Sequence, residues 1–345
     1  ATTATTGAST SPGGDRVVWS EAGDIWLSER STGARRRLTE DGNVRRDALP
    51  GFHGPHRVTY VSWEEQGPGP VSVVRELDLT TGRAHDVARL DAWMGAFDWS
   101  PDGRTLAVYA AGDGTPGELR LVTPVHERTI RSFPPAGGRG GFINYDETRL
   151  EWSPDGRHLL LVDTSLDTSQ DETFYVLTAD GASVIAPRGG TWARWGRHGE
   201  TVYCACAVHP GDDEWPWQAI DLGTGAGTPL PIERGMRPAL SPDGRYLAFD
   251  DGEDTPSVHV LDVQAPGSRP RHLARGALAP LWLDAGHLAV TDTRPCADDE
   301  DTCIAGGHGS MFVPAGTASA LDVASGVRSP TEPVLTEDAD VSPSG

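Results

Sequence analysis

The chain has no lysine; all 29 of its basic residues are arginine. That absence excludes Schiff-base chemistry and Walker-type phosphate loops, both of which need a lysine amine. The bases are also outnumbered, 29 against 50 acids, for a formal net charge of −21. A phosphate-backbone partner requires a basic footprint, so nucleic acid is not expected as a partner. No stretch of 18 apolar residues occurs, and no transmembrane segment is expected. Helical periodicity is missing throughout, as is a G-x-S-x-G nucleophile elbow.

Cysteines are scarce, and the four fall in two pairs. Cys296 and Cys303 bracket "ADDEDT" in one Gly/Asp-rich loop, where a disulfide can close a small ring and suits an oxidising compartment. Cys204 and Cys206 lie in "TVYCACAV", share one face of a strand and read as small buried hydrophobes. Neither pair has the usual C-x₂₋₄-C spacing of a zinc site.

Glycine (42) and proline (27) are plentiful. They mark a repeat: "DWSPDGRTLAVY" from Asp98, "EWSPDGRHLLLV" from Glu151 and "ALSPDGRYLAFD" from Ala239. Proline presets φ, aspartate tolerates the bridge region and glycine takes the left-handed position, so the tetrapeptide is a hairpin corner between two strands. Weaker copies place the same corner near Ser11, Pro50, Gly196, Leu283 and Ser342. The intervals average about 47 residues, within the roughly 40–50 of a four-stranded propeller blade. The expected fold is all-β: a seven-bladed β-propeller of four-stranded antiparallel blades. The first and last corners duplicate each other. The ring is therefore expected to close with a strand from the opposite chain terminus, the C-terminal "DADVS" supplying the innermost strand of the blade that begins at Asp15. Residues 1–14 are then a flexible Thr/Ala/Gly-rich linker, left by a removed export signal or lipid anchor, and residues 15–345 a single propeller. An extracytoplasmic location, secreted or in the cell envelope, follows as the expectation.

The "WSPDGR" corner, followed by a "YVLTADG"-like strand and an "RRRLTEDG"-like strand, resembles the repeats of TolB-like propellers over nearly the whole chain. The resemblance implies exported or envelope proteins that bind peptides, proteins or sugar polymers, or the propeller halves of prolyl-oligopeptidase-like hydrolases. An added N-terminal domain, as in the first kind, is not expected here; nor is a hydrolase domain, as in the second, and the sequence shows no nucleophile elbow.

Two sets of loops are candidates for function. Those between second and third strands carry carboxylates, from Glu64 onward through Asp113, Asp167, Asp212 and Glu253. Within "CADDEDTC", Asp298, Asp299, Glu300 and Asp301 form a weak calcium candidate; no other cofactor is expected. The blade-to-blade loops instead hold arginine with aromatics and should line the mouth of the central channel. Arg45, Arg46, Trp93, Arg139, Tyr145, Arg149, Trp192, Arg194 and Arg237 are the candidate ligand-binding residues. Arginine offers bidentate contacts to carboxylate, and tryptophan offers flat apolar area. Trp99, Trp152 and Trp195, at the corners, read as core. His53 and His56 read as scatter rather than as a metal cluster. The function read from this pattern is non-catalytic recognition of a protein, a peptide or an anionic saccharide at the channel mouth. The alternative is an enzyme at the same mouth, a metal-assisted polysaccharide lyase or a hydrolase.

Overall fold

The computed structural model describes residues 8–40, 46–64, 71–112, 115–135, 148–163, 173–208, 215–252, 255–295, 304–305 and 311–331. All of its regular structure is β. The first sheet is β1 (Ala8–Thr10), β2 (Arg16–Glu21), β3 (Asp24–Glu29) and β4 (Arg35–Arg37). The second is β5 (Arg46–Phe52), β6 (Arg57–Glu64), β7 (Val71–Asp78) and β8 (Ala84–Leu90). The third is β9 (Trp93–Trp99), β10 (Leu106–Gly112), β11 (Thr115–Thr123) and β12 (His126–Pro135). Next come β13 (Arg149–Trp152), β14 (His158–Asp163) and β15 (Thr173–Thr178), then β16 (Arg188–Trp195), β17 (Thr201–Cys206), β18 (Trp217–Asp221) and β19 (Gly227–Pro229). These run together as one seven-stranded sheet, but β15 meets β16 only at Thr173–Gly189 and Phe174–Arg188. The last two sheets are β20 (Met236–Leu240), β21 (Tyr246–Asp250), β22 (Ser257–Asp262) and β23 (Arg271–Arg275), then β24 (Ala277–Trp282), β25 (His287–Pro295), β26 (Ile304–Ala305), β27 (Met311–Asp322) and β28 (Arg328–Thr331). Every pairing is antiparallel between chain neighbours, apart from β25 with β27, which skips β26. Among the described residues no helix is long and apolar enough to cross a membrane.

The corners of the three Ser-Pro-Asp-Gly copies form as the sequence predicts; the one expected near Pro50 instead follows Phe52, Pro50 lying within β5, and Ser342 is outside the described residues. In the third sheet Gly103 takes φ +66°, and the Ser100 N–H donates to the Thr105 carbonyl at 2.8 Å. Ser100 Oγ donates to Asp102 Oδ1 at 2.7 Å and accepts from the Thr105 N–H at 3.0 Å. Ser153 with Asp155, and Ser241 with Asp243, repeat the arrangement. The serine hydroxyl thus closes the turn, and the aspartate orients the hydroxyl.

The buried strands feed two interiors, because alternate residues face opposite sides of a sheet. From β10, Leu106, Val108 and Ala110 pack with Val61, Val74 and Phe97. Ala107, Tyr109 and Ala111 pack with Leu150, Trp152 and Leu159 on the other side. Similar apolar seams join each sheet to the next. A further seam brings Leu281, Leu283 and Ala289 of the last sheet against Val17 and Trp19 of the first. The corner tryptophans lie within these seams, as expected: Trp195 Nε1 donates to the Glu151 carbonyl and Trp282 Nε1 to that of Ala239, at 3.1 and 2.9 Å.

Two expectations are corrected. The edge of the first sheet is filled from the N-terminal side: Ala8, Ser9 and Thr10 pair with Trp19, Val18 and Val17. Part of the segment expected as free linker is therefore a strand, in the place assigned to "DADVS"; residues 332–345 lie outside the described residues. The reason is space. Ser9 and Thr10 are buried, Thr10 Oγ1 donates to the Trp282 carbonyl at 3.4 Å, and a side chain on Gly14 would run into the Leu283 carbonyl, so small residues suit this edge. The second correction concerns Cys204 and Cys206, which are joined as a disulfide with their Cα atoms 5.4 Å apart. Their shared face on β17 brings them into bonding range. Cys296 and Cys303 lie outside the described residues.

Candidate functional site at the innermost strands

The candidate site is built on β5, β9, β13, β16, β20 and β24, the strands that run into the corners. Several bulge where their register with the next strand shifts, and four carry a non-glycine residue at positive φ there: Leu49 (52°), Trp192 (56°), Arg237 (47°) and Ala279 (51°). Such bulges re-aim side chains. Each of these residues stands three before the residue that ends its strand at the corner, the station held in β13 by Arg149.

Arg149 is 7% exposed, and its guanidinium carbon lies 5.0 Å from the centre of the Trp192 ring. β13 and β16 therefore present one cation-on-ring unit. Arg194 Nη1 meets Glu151 Oε1 at 2.6 Å, while its Nε donates to the Pro238 carbonyl at 2.9 Å. Burial pulls this guanidinium below its ordinary range, and the Glu151 carboxylate opposes that pull. Arg237 Nη1 meets Asp250 Oδ1 at 2.9 Å; the other Asp250 oxygen accepts the Ala279 N–H at 3.1 Å. Burial pushes the Asp250 carboxyl up, against the pull of Arg237.

Asp98, on β9, is buried and accepts the Trp152 N–H at 2.7 Å. Burial, joined by the nearby Glu151 charge, pushes its carboxyl up to about 7. Asp98, Glu151 and Arg194 hold the same station on three successive strands that run into corners, and each reaches to the next of these strands. The arrangement can hold a proton near neutral pH beside a buried cation.

The structure thus brings Arg149, Trp192, Arg194 and Arg237 onto neighbouring strands. Arg46 opens β5 and Trp93 opens β9. Their side chains, together with Arg45, Arg139, Tyr145 and Asp298–Asp301, lie outside the described residues. So do most of the acidic loops. Glu64, at the edge of one, is buried and pairs with Arg75 at 3.0 Å instead of lining a solvated rim. His53 is a packing residue: its ring stacks on Trp99 at 4.1 Å and its Nδ1 meets Glu76. Among the described residues no group of three or more His, Cys, Asp or Glu side chains could hold a metal. The sequence reading missed Asp98, Glu151 and Asp250. A signal was present for the first two, an acid directly before the tryptophan in both "DWSPDG" and "EWSPDG".

No family model and no curated protein matches the chain. Solved structures do. A prolyl endopeptidase is similar at 14% identity and TM-score 0.60, over 94% of this chain and 49% of that one, so this chain spans about half of its length. An oligogalacturonate lyase in complex with manganese is similar at 13% identity and TM-score 0.56, over 74% of this chain and 76% of the other. A TolB from Agrobacterium tumefaciens shows a more distant resemblance, at 18% identity and TM-score 0.45 over 76% and 89%. At these identities the likeness is one of fold: an all-β, propeller-like arrangement of four-stranded antiparallel sheets.

Proposed function

We propose that the sheets are the seven blades of one closed propeller, and that the mouth where β13, β16 and β20 begin handles a carboxylate-bearing substrate. The seam returning from Leu281 and Leu283 to Val17 and Trp19 supports closure. The observation that carries the substrate reading is the Arg149 guanidinium laid on Trp192: the cation suits a carboxylate, and the ring suits a flat apolar face of a sugar or peptide. Similarity to a lyase and an endopeptidase supports an enzymatic use of such a mouth. Asp98, with its carboxyl raised to about 7, is a group on the neighbouring strand able to hold a proton, at the Trp152 end of β13. The proposal includes an extracytoplasmic location, which the Cys204–Cys206 disulfide supports.

Turnover tests it. Short oligogalacturonates are incubated with the protein, and β-elimination is read as the ultraviolet absorbance of a new C=C bond; proline-containing peptides are assayed for cleavage in parallel. Turnover of one class, lowered at least about tenfold by Arg149→Gln, is the expected result. A second reading, recognition without catalysis, is favoured by Arg194 and Arg237, whose pairing with Glu151 and Asp250 braces neighbouring strands. Saturable binding of either ligand class without turnover would select it. Absence of both binding and turnover would overturn the reading of the mouth.

A further inference from the structure

A recurrent device covers the aromatic residue at the corner end of four strands, Phe52, Trp99, Trp195 and Trp282. At several corners the cover is the residue whose carbonyl accepts the N–H of the corner's first residue. In the first sheet this is Arg16, its guanidinium carbon 5.8 Å from the Phe52 ring centre in the next sheet. His158 stacks in the same way on Trp195 at 6.4 Å, and Tyr246 on Trp282 at 6.3 Å. Between the second and third sheets the cover is His53 itself, 4.1 Å from Trp99. Three of the four covers are planar nitrogen-bearing groups.

Thr105 holds this station in the third sheet, fixed by the same hydrogen bond from the Ser100 N–H at 2.8 Å. Threonine has no ring to offer, and the aromatic that follows is Trp152. At that seam the structure has a cavity of about 480 Å³, bordered by Thr105, Trp152, Asp102, Asp155, His126 and Arg128. The volume falls within the roughly 300–1,000 Å³ usual for small-molecule sites. Trp152 is 7% exposed, yet its indole Nε1 meets no acceptor among the described residues, whereas Trp195 and Trp282 donate theirs to neighbouring carbonyls. A buried donor without an acceptor is costly, and a ligand can supply the acceptor directly or through water. The wall carries the Asp102 and Asp155 carboxylates, 4.0 and 3.6 Å from the Arg104 and Arg157 guanidinium groups, together with the Arg128 cation. The Ser100 hydroxyl holds the Asp102 carboxyl below its ordinary range. Burial raises the Asp155 carboxyl, but the hydrogen bond from Ser153 and the N–H of Arg157 bring it below as well. Arg128 is tied to the Ala179 carbonyl at 2.8 Å.

We infer that this cavity binds a planar cationic group, a guanidinium, amidinium or imidazolium, in the place that a protein side chain fills beside Phe52, Trp99, Trp195 and Trp282. The site is at the corner end of β13, not the end where Arg149 stands, and it does not depend on the function proposed above. The ring lies against Trp152 and its charge faces Asp102 and Asp155.

Benzamidine is the probe, titrated calorimetrically, with neutral benzamide as the isostere. Benzamidine is expected to bind, and benzamide to bind at least about fivefold more weakly. Thr105→His supplies the missing cover; it should lower benzamidine affinity at least about tenfold while leaving the melting temperature equal or higher. Asp102→Asn keeps the turn acceptor and should weaken benzamidine but not benzamide, which preserves the test if Thr105→His folds poorly. The inference is overturned if benzamidine does not bind, if benzamide binds equally well, if a folded Thr105→His leaves affinity unchanged, or if a methyl glycoside binds in the cavity where benzamidine does not.

Discussion

Asp98→Asn should remove much of the pH dependence of stability that this seam imposes. Burial beside β13 raises the Asp98 carboxyl from 3.8 to about 7, and the Glu151 charge acts in the same direction. The folded chain therefore binds this proton more tightly than the unfolded chain does. The resulting stabilisation is complete below pH 3.8 and is lost as pH rises through about 7. A shift of about three units, at ~1.4 kcal/mol each, amounts to about 4 kcal/mol between those limits. Asparagine keeps an oxygen for the Trp152 N–H, which approaches Asp98 to 2.7 Å, but it cannot ionise. It also buries an amide that must find acceptors, at a cost of about 1 kcal/mol. The variant should thus be weaker than the parent by about 1 kcal/mol near pH 4 and stronger by about 3 kcal/mol near pH 8. Urea unfolding followed by tryptophan fluorescence across that range measures both chains. Parallel stability curves, with a constant gap at every pH, would refute the reasoning; they would mean that the Trp152 hydrogen bond outweighs desolvation and Asp98 is ionised throughout.

Glu151→Gln leaves Arg194 buried without its counter-charge and should cost about 3 kcal/mol in urea unfolding at neutral pH, most of it recovered in Glu151→Leu/Arg194→Met. A loss under about 1 kcal/mol would class the pair with surface ion pairs. Gly190→Ala meets both a φ of +145° and a Cβ position 2.5 Å from the Ala205 carbonyl oxygen, so its melting temperature should fall by an amount equivalent to at least about 2 kcal/mol. Ala279→Gly relieves a φ of +51° at a buried position and should be neutral or stabilising by about 1 kcal/mol, where an ordinary mid-strand glycine would destabilise.

The corners were legible because their determinants are local. Ser100, Asp102, Gly103 and Thr105 satisfy one another within six residues, so the tetrapeptide announces its own conformation. The strands were legible through the period-two packing that β10 and β14 show. What fills the edge beside β2 was not, because it depends on space near Trp282 and Leu283, which are remote in sequence from Thr10. The pairing of Cys204 with Cys206 was ambiguous for a different reason: a shared strand face suits a buried apolar pair and a bonded pair equally well. Asp98 and Glu151 were visible as letters before Trp99 and Trp152. Their role was not, since it is a reach to a neighbouring sheet that a one-chain pattern does not encode.

The bulge itself argues for restraint about function. Backbone strain of about 1–3 kcal/mol per residue clusters at active sites, which would point to Trp192 and Arg237. Leu49 and Ala279, however, carry the same positive φ at the same station, and neither brings chemistry. The strain therefore belongs to the way an innermost strand turns toward its corner, repeated from sheet to sheet. Function must be read from what differs along one station: Arg149 laid over Trp192 where Leu49 and Ala279 bring no charge, and Thr105 beside Trp152 where Trp99, Trp195 and Trp282 are each covered by a ring. In a repeated architecture the departures from the repeat carry the specific information, because every shared feature is already accounted for by folding.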